Sequence, residues 1–143
     1  MPYPRLVAID YGTKRVGLAG TDPLRLFTRP LGTYSAEGAL EEIENLRARD
    51  GIEQIIVGWP LNQEGEEGSS TRRVEPFLGR LRERFPDLEI VTWDERYTSV
   101  RARKKLCAAD AWKKAKRNRR IVDAVAAAVI LEEYLEQYPE YLR

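Results

Sequence analysis

Three carboxylates in this chain stand where they burden folding and would serve chemistry. Asp10 ends the apolar run Leu6-Val7-Ala8-Ile9, and Glu95 follows Ile90-Val91-Thr92-Trp93-Asp94. Asp123 interrupts an apolar stretch that runs from Ile121 to Ile130. An ionised carboxylate in apolar surroundings is costly unless it is paired or holds a metal. Three of them on separate elements point to a site for hard divalent cations, which take oxygen ligands, and so to phosphate chemistry.

The chain contains no histidine. Ser-His-Asp and Cys-His hydrolytic schemes are thereby excluded, as are histidine bases and histidine-bearing zinc sites. Catalysis must rest on carboxylates, Lys, Tyr, Ser, Thr or a bound metal. The single Cys107 excludes an intrachain disulfide and fits a reducing cytoplasm. No apolar stretch approaches the length of a membrane span, and the N-terminus lacks a signal-peptide pattern.

Net charge is only +1, but the charges are segregated. From Arg96 to Arg120 there are 11 Lys and Arg against one acid, Asp110, while Glu37 to Glu67 holds nine acids against Arg47 and Arg49. This asymmetry suggests a polyanion-facing surface on an otherwise balanced protein, with a merely solvated charged helix as the alternative.

The elements that must position these groups follow from periodicity. At 143 residues, with 43% hydrophobic and 33% charged residues, the chain is expected to form one globular domain over 1–143. Residues 5–10 read as a central strand buried on both faces, followed by an Asp10-Tyr11-Gly12-Thr13 turn in which Gly12 is free to take positive φ. Residues 16–21 read as the return strand, and about 25–34 as a third, with Pro30 arguing for a sheet edge or a bulge. A helix is predicted over 37–50 and stopped by Gly51, then a short buried strand over 54–58. A long polar loop follows from Trp59 to Ser70, of the kind that tends to be functional. A helix over 70–84 is expected to start its regular part late, because Pro76 suits only a first turn. A strand over 89–94, a helix from Thr98 or Ser99 through Ala109, the basic stretch 113–120 and a final helix over 119–137 complete the chain. Three antiparallel strands followed by helical crossovers predict an α/β fold, a mixed five-stranded sheet with helices on its faces.

On these elements the carboxylates gain direction. Asp10 could simply form the turn before Gly12, but it sits at the carboxyl end of a central strand, where open α/β sheets bind ligands. Strand alternation puts Val91, Trp93 and Glu95 on one face and Thr92 and Asp94 on the other; Glu95 is favoured over its neighbour Asp94. Asp123 shares its helix stripe with Ala126, Ala127, Ile130, Leu131 and Tyr134, so it faces the sheet. A role in complementing the helix dipole would explain its position but not its face. Asp22 would lie on the order of 20 Å from Asp10 along the hairpin and reads as a turn residue outside the site.

Four motifs occur in order: Asp10-Tyr11-Gly12-Thr13-Lys14-Arg15-Val16-Gly17-Leu18-Ala19, then Val57-Gly58-Trp59-Pro60-Leu61-Asn62 with Gly65 and Gly68, then Asp94-Glu95-Arg96-Tyr97-Thr98-Ser99, and Asp123-Ala124-Val125-Ala126-Ala127. Together they resemble the YqgF/RuvX family, described as pre-16S rRNA nucleases and as Holliday junction resolvase-like proteins. The resemblance spans about Leu6 to Leu135 and implies an RNase H-like fold. Trp59 and Tyr97 depart from it, standing where a smaller apolar residue and Leu are commoner.

The resemblance makes Asp10, Glu95 and Asp123 the catalytic acids and ligands of Mg2+ or Mn2+. It implies a hydrolase that cuts phosphodiester bonds, in precursor rRNA or branched DNA, within the cytoplasm and in contact with ribosomal precursor particles. Arg15, Arg96, Lys113, Lys114, Lys116, Arg117, Arg119 and Arg120 are the expected nucleic-acid-binding residues, with Arg72 and Arg73 as weaker candidates. A Holliday junction resolvase and a non-catalytic ribosome-assembly factor are the alternatives, with either a monomer or a homodimer possible. Asp10-Tyr11-Gly12-Thr13 also resembles the phosphate motif of actin-like ATPases, but those close two such lobes around a nucleotide.

Overall fold

The structure is a computed structural model; it describes residues 3–12, 14–62, 64–94 and 119–142. Five strands and three helices are found among them. They are β1 (Arg5–Tyr11), β2 (Val16–Thr21), β3 (Thr28–Tyr34), α1 (Ala36–Asp50), β4 (Ile52–Trp59), α2 (Ser69–Arg84), β5 (Glu89–Asp94) and α3 (Arg119–Gln137). A short 3-10 turn, Pro139–Tyr141, follows α3.

The strands form one sheet in the order β3-β2-β1-β4-β5. The β1–β2 and β2–β3 pairs are antiparallel, and β1–β4 and β4–β5 are parallel. This is the expected mixed five-stranded arrangement. Pro30 does lie on an edge strand, where its missing N–H breaks no ladder on the outer side.

Alternation along each strand sorts the side chains onto two faces. Val7, Ile9, Val16, Leu18, Ile55 and Val57 pack with Leu40, Ile43 and Leu46 of α1 and Val74, Phe77, Leu78 and Leu81 of α2. On the other face Leu6, Ala8 and Ile56 meet Ile130, Leu131, Tyr134 and Leu135 of α3. Ala19 touches Ala127 and Ala128, so α3 approaches β2 on small residues there. Helices therefore cover both faces, and β1 is buried on both sides as its unbroken apolar run predicts.

Two local expectations need correction. The third strand begins at Thr28, not near 25, because residues 22–27 form a loop knotted around the Asp22 carboxylate. Helix α2 starts at Ser69 and runs regularly through Pro76. Four buried apolar side chains (Val74, Phe77, Leu78, Leu81) hold it across the hydrogen bond that Pro76 cannot donate. At the helix start, the Thr71 hydroxyl accepts from the Gly68 N–H at 2.9 Å and donates to the Gly68 carbonyl at 2.8 Å. Gly51 ends α1 as expected, with φ at +78°.

Candidate metal and nucleic-acid site

Asp10 lies near the carboxyl end of β1, directly opposite Gly17 of β2. Residues directly opposite in an antiparallel pair project to the same face, so Asp10 and the missing side chain of Gly17 share one. That face is the α3 face, since Ala8 and Leu6, two and four positions earlier, pack against α3.

Gly17 meets α3 at Asp123. A Cβ on Gly17 would stand 2.1 Å from the Asp123 carbonyl oxygen and 2.9 Å from the Ala124 nitrogen, an impossible overlap with backbone. Only glycine lets the helix come this close, and the approach places Asp123 beside the ladder partner of Asp10. The Asp123 carboxylate points the same way. Its Oδ1 lies 3.7 Å from where a Cβ on Gly12 would be, two residues beyond Asp10. Both carboxylates thus converge on one end of the β1–β2 hairpin.

The same numbers correct the expected role of Gly12. Positive φ is found at Gly32, Gly51 and Gly65, not at Gly12. What the turn requires of Gly12 is space: a Cβ there would lie 2.7 Å from the Arg15 carbonyl oxygen, which accepts a 2.9 Å hydrogen bond from the Gly12 N–H.

Electrostatics distinguish the acids. Burial, the dominant influence, pushes the Asp123 carboxyl above its ordinary value, while the positive charge of Arg15 pulls it the other way. Arg15 itself is half-buried in the β1–β2 turn, so this expected nucleic-acid-binding residue is brought to the site. Asp94 is exposed at the end of β5, and Ile90, with which it alternates in phase, packs on the α1 and α2 face. Val91 and Trp93 pack on the α3 face. Asp94 therefore stands on the side of the sheet away from Asp123.

Glu95 lies outside the described residues, as do Arg96, Lys113, Lys114, Lys116, Arg117, Cys107 and the helix expected from Thr98 or Ser99 through Ala109. Arg119 and Arg120 open α3, one helical turn ahead of Asp123. No cluster of three metal-binding side chains occurs among the described residues. The donor set that is described, two half-buried carboxylates with no nitrogen or sulfur ligand beside them, suits a hard divalent cation.

The loop after β4 borders the same end of the sheet, because β4 runs parallel to β1 with Val57 opposite Ile9. Asn62, which carried no role in the sequence reading, organises it. Its Oδ1 accepts from the Glu64 and Glu66 N–H groups at 3.0 and 2.9 Å, and its carbonyl accepts from Gly65, whose φ is +81°. The Trp59 indole donates to Glu67 at 3.3 Å. Arg72 closes the first turn of α2 and Arg73 opens the second, both exposed, and the first turn carries no acid. Asp22 is far from all this, at the opposite end of the hairpin, and acts as the turn residue its position predicts. No described helix is long and apolar enough to cross a membrane.

A family model described as "RuvX: Holliday junction resolvase" matches residues 4–137. A Salinibacter ruber protein named as a pre-16S rRNA nuclease is 47% identical over 133 residues, covering 93% of both chains. Proteins of the same name from Chlorobaculum tepidum and Bacteroides thetaiotaomicron are 40% and 39% identical, covering 95% and 92% of this chain and 96% of each of theirs. Among solved structures, Thermus thermophilus RuvC in complex with a Holliday junction substrate superposes with a TM-score of 0.61 at 16% identity, covering 95% of this chain and 97% of that one. At that identity the likeness establishes the fold, which is RNase H-like.

Proposed function

This chain belongs to the RuvX family of nucleases, and from that premise we propose that it is a metal-dependent hydrolase of phosphodiester bonds in precursor 16S rRNA, working in the cytoplasm on ribosomal precursor particles. The observation that carries the reading is the convergence of Asp10 and Asp123 across Gly17. Two carboxylates on separate elements, brought together by a contact only glycine permits, have no comparable use in folding.

Asp10 and Asp123, with Glu95, would hold Mg2+ or Mn2+. When bound there, such ions supply Lewis-acid activation of water and neutralise charge on the attacked phosphate. The chain's own residues do the rest. Arg15, beside Asp123, offers positive charge to a phosphate next to the scissile one. Arg72 and Arg73, on the same end of the sheet, would hold the backbone further along, as would Arg96, Lys113, Lys114, Lys116, Arg117, Arg119 and Arg120.

A second reading, cleavage of Holliday junctions, is favoured by the description of the matching family. A resolvase acting on a symmetric junction needs two active sites, whereas trimming an RNA end needs one, so this reading calls for a homodimer. The test compares cleavage of precursor 16S rRNA and of a synthetic four-way junction by the purified protein in Mg2+ and Mn2+. Turnover of the RNA at its mature 5′ end with an intact junction is expected. Symmetric cuts in the junction with intact RNA would reverse the assignment.

A further inference from the structure

The loop joining β2 to β3 is folded inside out. Arg25 is fully buried, while its neighbours Leu24, Leu26 and Phe27 are 53%, 58% and 50% exposed. Arg25 also holds a left-handed backbone, with φ at +54°, a conformation unfavourable for a residue with a side chain. Buried polar groups and exposed apolar clusters are the informative departures from ordinary folding.

The inversion is held firmly. The Asp22 carboxylate accepts from the N–H groups of Leu24, Leu26 and Phe27 at 3.2, 2.7 and 2.8 Å. The Arg25 guanidinium donates to the Pro4 carbonyl at 2.8 and 3.1 Å, to Glu53, and to the Tyr141 carbonyl at 3.5 Å, with Tyr3 packed against it. The last bond ties the loop to the C-terminal 3-10 turn. Between these two segments lies a groove of about 360 Å³, walled by Leu26 and Phe27 on one side and Leu135, Pro139 and Leu142 on the other. Arg25 thus fastens both walls. The groove lies at the amino end of β1, a strand length or roughly 20 Å from Asp10, so the catalytic site makes no use of it.

Among the described residues the charged side chains lining the groove are Glu132 and Glu136; Thr28, also in the lining, donates its hydroxyl to Glu132 at 3.3 Å. Arg29 lies over the Phe27 ring at 5.3 Å but does not line the groove. An acidic lining repels a nucleic-acid backbone. It also opposes an isologous contact between two copies, which would bring the same acids together. We propose that this groove docks a polypeptide segment of a partner protein that carries large apolar side chains flanked by Lys or Arg, giving the enzyme a recruitment site separate from its catalytic end. The apolar anchors would fill the space between Phe27 and Leu135, and the flanking cations would meet Glu136.

The test uses fluorescence anisotropy of a labelled amphipathic peptide built of Leu, Phe and Lys, with versions in which Glu replaces Lys or Ser replaces the apolar residues. Saturable binding of the Lys peptide alone is expected. The double variant L26S/F27S should weaken it about tenfold or more, and E136K should weaken it while admitting the Glu peptide. Both variants alter exposed residues and should keep the wild-type melting temperature and nuclease turnover. Equal binding of the Glu peptide, or no saturable binding of the Lys peptide, would overturn the proposal. So would displacement of the peptide by single-stranded RNA, or a homodimer in sedimentation that L26S/F27S dissolves. Anisotropy reads the groove without cleavage, so its outcome is independent of the nuclease assignment.

Discussion

Replacing Gly17 with Ala adds one methyl group where α3 crosses β2, and the structure fixes what that must do. The new Cβ would stand 2.1 Å from the Asp123 carbonyl oxygen, against 3.4 Å for ordinary contact, so helix and strand must part by about 1.3 Å. Both clashing partners are backbone, which leaves no side chain to turn away. Overpacking of this kind costs roughly 1–3 kcal/mol. The larger effect falls on activity. Asp123 moves with α3 and Asp10 stays with the ladder partner of Gly17, so the two carboxylates separate by about the same distance. A misplacement of about 1 Å at a catalytic centre can lower turnover about a hundredfold. Gly20→Ala is the matched control: it lies on the same strand, and its Cβ would meet the movable Leu31 Cδ1 at 3.1 Å. Thermal melting by circular dichroism and steady-state cleavage at saturating Mn2+ read the two effects separately. Gly17→Ala with wild-type turnover, or with losses no greater than Gly20→Ala, would refute the role given to this contact.

Three further outcomes follow from the fold. The Asp22 carboxyl lies below its usual pKa: burial raises it, but the N–H donors of Phe27, Leu26 and Leu24 outweigh burial. Its folded value is thus lower than its unfolded one, so its stabilisation is complete above the unfolded pKa of about 3.9 and is lost as pH falls through the lower folded value. Urea titrations should therefore show a stability gap between wild type and Asp22→Asn that is constant near neutrality and narrows below about pH 4. Gly79→Ala, in α2 and with nothing within 4 Å of the added Cβ, should raise stability by about 0.5–1 kcal/mol, seen as a higher urea midpoint. Tyr134→Phe removes the 2.8 Å donor to Gln54 Oε1, whose own amide donates to Glu89 at 2.8 Å. Leaving that buried oxygen unpaired should cost about 1–3 kcal/mol, and Trp93 fluorescence should respond because its ring meets Tyr134 edge-on at 5.5 Å.

Much of this architecture is legible in the sequence because burial patterns are strong where an element is central. Four consecutive apolar residues before Asp10 mark a strand covered on both faces, and the α3 stripe through Ala127, Ile130 and Tyr134 marks which side of Asp123 meets the sheet. Asp10 and Asp123 are readable for the same reason, as polar residues on faces that should be apolar. Gly17 was legible only as part of a motif. Nothing in the pattern of β2 says that a helix backbone will rest on it, since that contact joins residues far apart in the chain. Residues 25–27 read as the start of the third strand because Leu26 and Phe27 imitate an apolar element, whereas local hydrogen bonds to Asp22 decide their path. Pro76 misled in the opposite direction: its local penalty is real, and tertiary burial of its helix outweighs it.

The central claim is that Asp10 and Asp123 act together, with Glu95, on divalent cations at the end of the β1–β2 hairpin. Its most direct test is isothermal titration of Mn2+ into wild type, Asp10→Asn and Asp123→Asn, with precursor 16S rRNA cleavage measured on the same preparations. Each variant should lose Mn2+ affinity and cleavage together while melting as the wild type does. Cleavage that persists in either variant, in protein free of contaminating nuclease, or Mn2+ binding indifferent to both substitutions, would contradict the account.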